Sequence, residues 1–270
     1  MKSSGGNYLE LGYLDLLSSQ DTPIHRLDPR AKVITVLIFT IAVISFDRYR
    51  VAALLPFVIF PLALITLGNL PLWYLLRRLA VVLPFILLVG IFNPLIDRET
   101  LLQVGSVTIS GGWLSFCSIL LRSILTVLTL LALVATTGFI GVCAALDMLG
   151  MPRVFSLQLL FMYRYLFVLA DEGGRMARAR ELRSFGNRGR GIQSFISLVG
   201  HLLLRTFDRA QKIYTSMLSR GFQGQFHLRR QMGFGYGEIV FIAGWSCLFI
   251  LFRFVDIPAL VGGIITGAGR

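Results

Sequence analysis

Apolar residues run in long uninterrupted blocks along most of this chain, at Ala31 to Phe46, Val51 to Leu67, Leu79 to Ile96, Trp113 to Ile140 and Ile239 to Val255. Each block approaches the roughly 20 residues that a helix needs to cross about 30 Å of hydrocarbon, so the pattern predicts five membrane-spanning helices. Polar breaks separate them. Asp47-Arg48-Tyr49-Arg50 makes a tight turn, and Gly68-Asn69-Leu70-Pro71 followed by Arg77-Arg78 divides the second block from the third. Between Asp97 and Gly112, Val104, Val107 and Ile109 alternate with glycines and polar residues, which predicts a small hairpin.

The pattern changes after Gly150-Met151-Pro152. Val154 to Ala170 is apolar but holds Gln158 and Arg164. From Ile192 the apolar residues Phe195, Ile196, Val199, Leu202 and Leu203 recur at three and four, with Gln193, Ser194, Ser197, His201 and Arg205 filling most of the opposite face. That is an amphipathic helix. A second such helix is expected where the pattern resumes as Leu203, Phe207, Ala210, Tyr214 and Met217, with Arg220 at its tip.

Composition settles the solvent. With 55% hydrophobic and 15% charged residues and a mean hydropathy of +0.74, 270 residues hold more apolar surface than one soluble core hides. The fold class expected is an all-α integral membrane protein with about five transmembrane helices and a block of amphipathic helices. Glu10, Asp15, Asp21 and Arg26 interrupt every apolar run in the first 30 residues, so no cleaved signal peptide is expected.

Charge orients the chain. The formal net charge is +12, and Asp171 to Met232 carries twelve Arg or Lys against four acids. This block faces the cytoplasm under the positive-inside rule. If Val154 to Ala170 lies along the cytoplasmic interface, the block shares a side with His25 to Lys32 and Arg77-Arg78. The expectation is therefore an N-terminus inside, a C-terminus outside, and four parts: a cytoplasmic segment 1–30, spans 1–4 over 31–140, a cytoplasmic or interfacial helical block 141–232, and the last span with a tail, 233–270. Pro56, Pro61 and Pro84 fall within spans and are expected to bend them. Arg122, nine residues into the fourth span, is expected to snorkel to the outer interface or to face a partner.

Two arginines stand at helix ends in the basic block. Arg220 precedes Gly221, a residue suited to the left-handed position after a helix, and Arg183 precedes Ser184-Phe185-Gly186, a similar stop. The helix dipole by itself favours a cation there by roughly 0.3 to 1 kcal/mol. The arginines of the block also suit anionic lipid headgroups, at about 1 kcal/mol each near the surface. Nucleic acid is not an expected partner, because few residues able to stack are interleaved with the charges.

Cys117, Cys143 and Cys247 are single and read as small apolar fillers, and His25, His201 and His227 have no acidic or cysteine neighbours at ligand spacing, so no metal site is expected. The chain has no GxxxxGK[ST] loop, HExxH or GxSxG, and no pair of carboxylates within a span. An ATP-driven process would need an ATPase on another chain.

Three phrases resemble the transmembrane T component of energy-coupling factor (ECF) transporters, in particular the cobalt/nickel branch called CbiQ. They are Pro23-Ile24-His25-Arg26-Leu27-Asp28-Pro29-Arg30-Ala31-Lys32, Tyr163-Arg164-Tyr165-Leu166 running on to Glu172-Gly173-Gly174-Arg175-Met176-Ala177-Arg178-Ala179-Arg180, and Ser216-Met217-Leu218-Ser219-Arg220-Gly221-Phe222. The resemblance implies a non-enzymatic subunit of the cell membrane whose two coupling helices end in X-Arg-X motifs docked on a pair of ABC-type ATPases. Carried over by position, the motifs are Ser219-Arg220-Gly221 and Leu182-Arg183-Ser184, with Ala179-Arg180-Glu181 as a competing register for the latter. It further implies that ATP and magnesium sit on the ATPases, and that cobalt or nickel sits on a substrate-binding S component, with or without a small accessory membrane subunit. No cofactor is expected on this chain. His25 to Lys32 itself reads as the start of a helix, with Asp28 as N-cap and Pro29 in the first turn.

Overall fold

The computed structural model describes residues 15, 17–47, 50–92, 100–104, 107–184, 191–222, 233 and 235–255. They fall into two compact units, residues 16–142 with 232–270, and residues 1–15 with 143–231.

In the larger unit, α1 (Pro23–Arg26) leads into α2 (Pro29–Ile44). Asp28 caps α2 by accepting the Arg30 N–H at 2.8 Å, and Pro29 sits where a missing N–H costs nothing, as the sequence predicts. The second apolar block is divided into a 3-10 segment, Ala52–Val58, containing Pro56, and α3, Ile59–Leu67. Pro61 lies in the first turn of α3, where its ring is tolerated. The third apolar block forms α4, Leu72–Gly90, which starts before the expected Leu79, so Arg77 and Arg78 lie inside it rather than in the separator. Arg78 accommodates this by turning its guanidinium to the Tyr74 hydroxyl and ring one turn back. The expected hairpin is present as β1 (Thr100–Val104) antiparallel to β2 (Val107–Ser110). The fourth block is interrupted: α5 ends at Thr137, and α6, Phe139–Met148, follows Gly138. Helix α9, Tyr236–Phe254, is the last.

Helices α2, α3 and α4 pack on α5, and α9 packs on α2. The centre is aromatic. Phe39, Phe57, Phe60 and Phe249 are almost fully buried, and the Phe39 ring lies 4.9 Å from Phe60 and 5.4 Å from Phe249 between centroids. Outward faces are also apolar. Trp73, Val81, Phe85 and Phe254 are all more than two-thirds exposed within the chain, the expected state of helices solvated by lipid. Of the three cysteines only Cys143 fills a core position, while Cys117 and Cys247 lie on these outward surfaces.

Among the described residues four helices are long and apolar enough to cross a membrane: α4, α5, the segment Val154–Arg183, and α9. This is an all-α, multi-pass membrane protein. The first expected span is only 16 residues long and the second is split, while the segment expected to lie at the interface belongs to a long helix. Arg122 turns to the end of α2 and donates to the Asp47 carbonyl. Arg253 stands over the Phe46 ring at 4.4 Å, so two cations gather at that end.

In the smaller unit, Gly150, at φ +101°, closes α6, with the Met151 N–H returning to Leu146 and the Gly150 N–H to Asp147. Helix α7 then runs unbroken from Arg153 to Arg183, and α8 from Ile192 to Ser219. The two amphipathic helices expected over 192–219 are thus one. Their patterns overlap at Leu203, and no glycine or proline intervenes beyond Gly200, which a helix tolerates at about 1 kcal/mol.

Candidate functional site

Helices α7 and α8 cross, and the chemistry of the crossing is set by one carboxylate. Glu172, with its side chain 18% exposed, accepts from Arg175 on its own helix and from Arg205 on α8, each at 2.5 Å. One residue further, Gly173 leaves the Leu202 side chain 3.7 Å from where a Cβ would stand. A small residue and an ion pair therefore hold the two helices close at one point.

From that point the helices diverge, leaving a cleft on each side. One lies between the C-terminal half of α7 and the first half of α8, with Arg175, Arg180, Arg183 and His201 on its walls. The other lies between the first half of α7 and the C-terminal half of α8, lined by Arg164, Arg209, Lys212 and Arg220. At 1.5 Å per residue, Arg183 lies about 16 Å along α7 from Glu172, and Arg220 about 22 Å along α8 from Arg205. The structure does not bring Arg183 and Arg220 together; it sets them at the far ends of two arms.

The two arm ends differ. At α8, Ser219 is the last helical residue and its hydroxyl donates to the Thr215 carbonyl, Arg220 is the C-cap, and Gly221 takes φ +78°. The Phe222 N–H reaches Met217 O at 3.0 Å and the Gly221 N–H reaches Leu218 O at 2.9 Å, the double closure of a Schellman turn. At α7, Leu182 is 84% exposed, Arg183 is the last helical residue, and Ser184 is an extended C-cap whose N–H and hydroxyl both return to Glu181 O. The stop at Ser184 is therefore not of the Gly221 type. Phe185 and Gly186, which carried that expectation, lie outside the described residues. In the competing register Arg180 sits in the last turn, half-buried on the cleft wall, while Arg183 projects at the end. Among the described residues neither Arg183 nor Arg220 is paired with a carboxylate.

Much of the apolar stripe legible on α8 is not covered. Ile192, Phe195, Ile196, Val199, Leu203 and Phe207 are between 44% and 81% exposed, while the half-buried residues facing α7 are Ser194, Leu198, Leu202, Thr206, Ile213 and Met217. Two neighbouring stripes of α8 are apolar, and only one packs inside the unit. Pattern alone does not say which. Glu172 and the Tyr163 hydroxyl, which donates to Asp15 at 2.6 Å, are the connections that sequence reasoning missed.

The His25 to Lys32 phrase builds a second, buried polar cluster. His25, Asp28 and Lys32 are each under 8% exposed. Burial pushes the His25 imidazole below its ordinary value, and the nearby Lys32 charge acts in the same direction. Outside the cluster, the Arg26 guanidinium hydrogen-bonded to Asp21 holds that carboxyl below its usual range. Among the described residues no three His, Cys, Asp or Glu side chains gather as a metal site.

Comparison with known proteins adds the family. The chain is 28% identical over 261 residues to the energy-coupling factor transporter transmembrane protein EcfT of Heliobacterium modesticaldum, covering 86% of this chain and 94% of that protein. It is 24% identical over 216 residues to EcfT of Bacillus subtilis, covering 74% and 81%. It is 29% identical over 168 residues to the cobalt transport protein CbiQ of Salmonella typhimurium, covering 58% and 74%. Residues 20–232, which include the capped start of α2, the crossing at Glu172 and both arginine-tipped arms, match the model of the cobalt transport proteins, and the chain belongs to that family, CbiQ.

Proposed function

We propose that this chain is the transmembrane coupling subunit of an ATP-driven ECF-type importer, with cobalt or nickel as cargo. The observation that carries the reading is the pair of crossed helices, each ending, on its own side of the crossing, in an arginine that no carboxylate among the described residues pairs with. A guanidinium presents five donors in a fixed fork, suited to carboxylates and carbonyl groups on a partner surface. Two such contacts on stiff arms let a closing ATPase dimer act on both at once. The arms then pass a change of angle through the crossing at Glu172, and the uncovered stripe from Ile192 to Phe207 is the surface offered to the S component. The catalytic work, with ATP and magnesium, belongs to the ATPases, and the ion to the S component. The basic block lies in the cytoplasm, with the N-terminus on the same side.

Leu182-Arg183-Ser184 and Ser219-Arg220-Gly221 are the contacts in this reading. In the assembled complex, R183E/R220E abolishes uptake of radioactive cobalt and releases the ATPases on affinity purification, while membrane insertion is unchanged; retained uptake refutes the assignment. A vitamin or other micronutrient is the second reading of the cargo, because relatives named EcfT align over more of this chain than the CbiQ relative does. Uptake assays with cobalt, nickel and vitamins in cells holding the whole transporter decide between them.

A further inference from the structure

The cleft on the Arg220 side of the crossing is two-faced. Its open volume is about 810 Å³, within the range of about 300 to 1,000 Å³ usual for ligand sites. Among the described residues Arg164, Arg205, Arg209, Lys212 and Arg220 line it against two acids, Glu172 and Asp208. Glu172 is already engaged by Arg175 and Arg205, so the cleft carries an excess of positive charge. The same wall continues into a groove of opposite character, lined by Leu157, Met162, Ala210, Tyr214 and Phe222. Phe161, Leu169, Ile213 and Met217 belong to both.

Cations opening directly onto an apolar groove match a ligand with an anionic head and a hydrocarbon tail. The position agrees, because the wall supplied by α7 lies in Val154–Arg183, a segment apolar enough to enter a membrane. A free anion would leave the groove unfilled, and an acidic protein surface would use only the cations. We infer that an anionic phospholipid occupies this site, its phosphate among Arg164, Arg209 and Lys212 and one acyl chain along Met162, Ala210 and Tyr214. Charge attraction to the basic residues and burial of the acyl chain act together on such a ligand. The inference does not depend on the cargo or on the ATPase contacts.

The test uses the full chain in mild detergent and native mass spectrometry. Dioleoyl-phosphatidylglycerol is titrated against dioleoyl-phosphatidylcholine, with inorganic phosphate as competitor. The expected result is at least tenfold tighter retention of phosphatidylglycerol, unaffected by millimolar phosphate. R209Q/K212Q loses that preference, whereas R178Q, away from both compartments, keeps it. A210F, which fills the groove and leaves every cation in place, weakens the dioleoyl lipid but not dihexanoyl-phosphatidylglycerol, so a folding defect is distinguished from a blocked tail. Equal retention of the two dioleoyl lipids, full displacement by inorganic phosphate, or unchanged preference in R209Q/K212Q overturns the inference. So does loss of the ATPases, with lipid preference intact, when R209Q/K212Q is assembled with them.

Discussion

The ammonium of Lys32 donates to the carbonyl oxygen of Thr136 at 3.0 Å, joining the first turn of α2 to the last turn of α5 across 104 positions of sequence. Lys32 is 3% exposed, and the carbonyl it meets is one of those a helix end leaves without an internal partner. A cation at the C-terminal end of α5 thus satisfies a buried acceptor and fixes where the chain enters its first long helix.

Lys32→Met keeps the length of the stem and removes the ammonium. A hydrogen bond from a charged donor is worth about 1.5 to 3 kcal/mol, and the orphaned carbonyl cannot reach water. The variant is expected to unfold several degrees below the parent in a detergent thermal-shift assay. Lys32→Arg, with a larger head in a closed site, is not expected to restore it. An unchanged midpoint in K32M removes the pair from the account of stability.

His25 supplies a pH prediction. Its Nδ1 is hydrogen-bonded to Thr22 Oγ1 at 2.6 Å, burial and the Lys32 charge disfavour its protonated form, and the backbone of Leu17 and Ala135 and the Asp21 carboxylate oppose them more weakly. Burial holds the folded imidazole below its ordinary value, whereas in the unfolded chain it titrates near about 6.5. The unfolded state therefore takes up the proton first, and stability present above pH about 6.5 is lost as the pH falls through that value. His25→Gln cannot titrate, so its thermal midpoint should fall less than that of the parent between pH 7.5 and 5.5. Parallel curves for the two proteins would exclude His25 as the cause.

Local rules were legible in the sequence, and distant partners were not. Asp28-Pro29 announces a helix start because a cap is made with the next two residues, and Gly221 announces a stop because only its own φ is at issue. Nothing near Lys32 names Thr136. On α8 the three-four periodicity located the apolar stripes but not their partners: Leu202 packs near Gly173, while Phe195 and Phe207 face outward. The continuity of α7 was hidden by its composition, because an apolar first half and a basic second half read as two environments although the backbone is one helix. That Arg183 and Arg220 stand at helix ends was visible, and their placement on opposite sides of a crossing was not.

The Schellman turn at Gly221 closes the α8 tip with two backbone hydrogen bonds that depend on one left-handed residue. Among the described residues no heavy atom beyond its chain neighbours lies within 4 Å of a Cβ placed on Gly221, so Gly221→Ala costs the left-handed conformation, about 1 to 2 kcal/mol. That is enough to fray one turn without unfolding the helix. Hydrogen exchange at the Gly221 and Phe222 amides should rise roughly tenfold in G221A, and Gly221→Asn should lie between the two. Exchange that stays at the parental rate in G221A means that the turn is not held by the left-handed residue.

Glu172 joins α7 to α8 through its ion pair with Arg205. Its two arginine partners are largely exposed, with Arg175 at 62% and Arg205 at 65%, so water screens the pairs and Glu172→Gln should cost less than about 1 kcal/mol of stability. The effect on geometry is larger, because Glu172–Arg205 is the ion pair seen between α7 and α8 among the described residues. Spin labels at Ala179 on α7 and Gln211 on α8, in a background without the native cysteines, report the spread of the crossing. The distance distribution should broaden in E172Q at nearly unchanged thermal midpoint. It should narrow again in E172R/R205E, where the interhelix pair is rebuilt with reversed charges. If the E172Q distribution matches the parent, packing of Leu202 against Gly173 holds the arms and the carboxylate does not; if the reversed pair stays broad, the charge between the helices is not what restrains them.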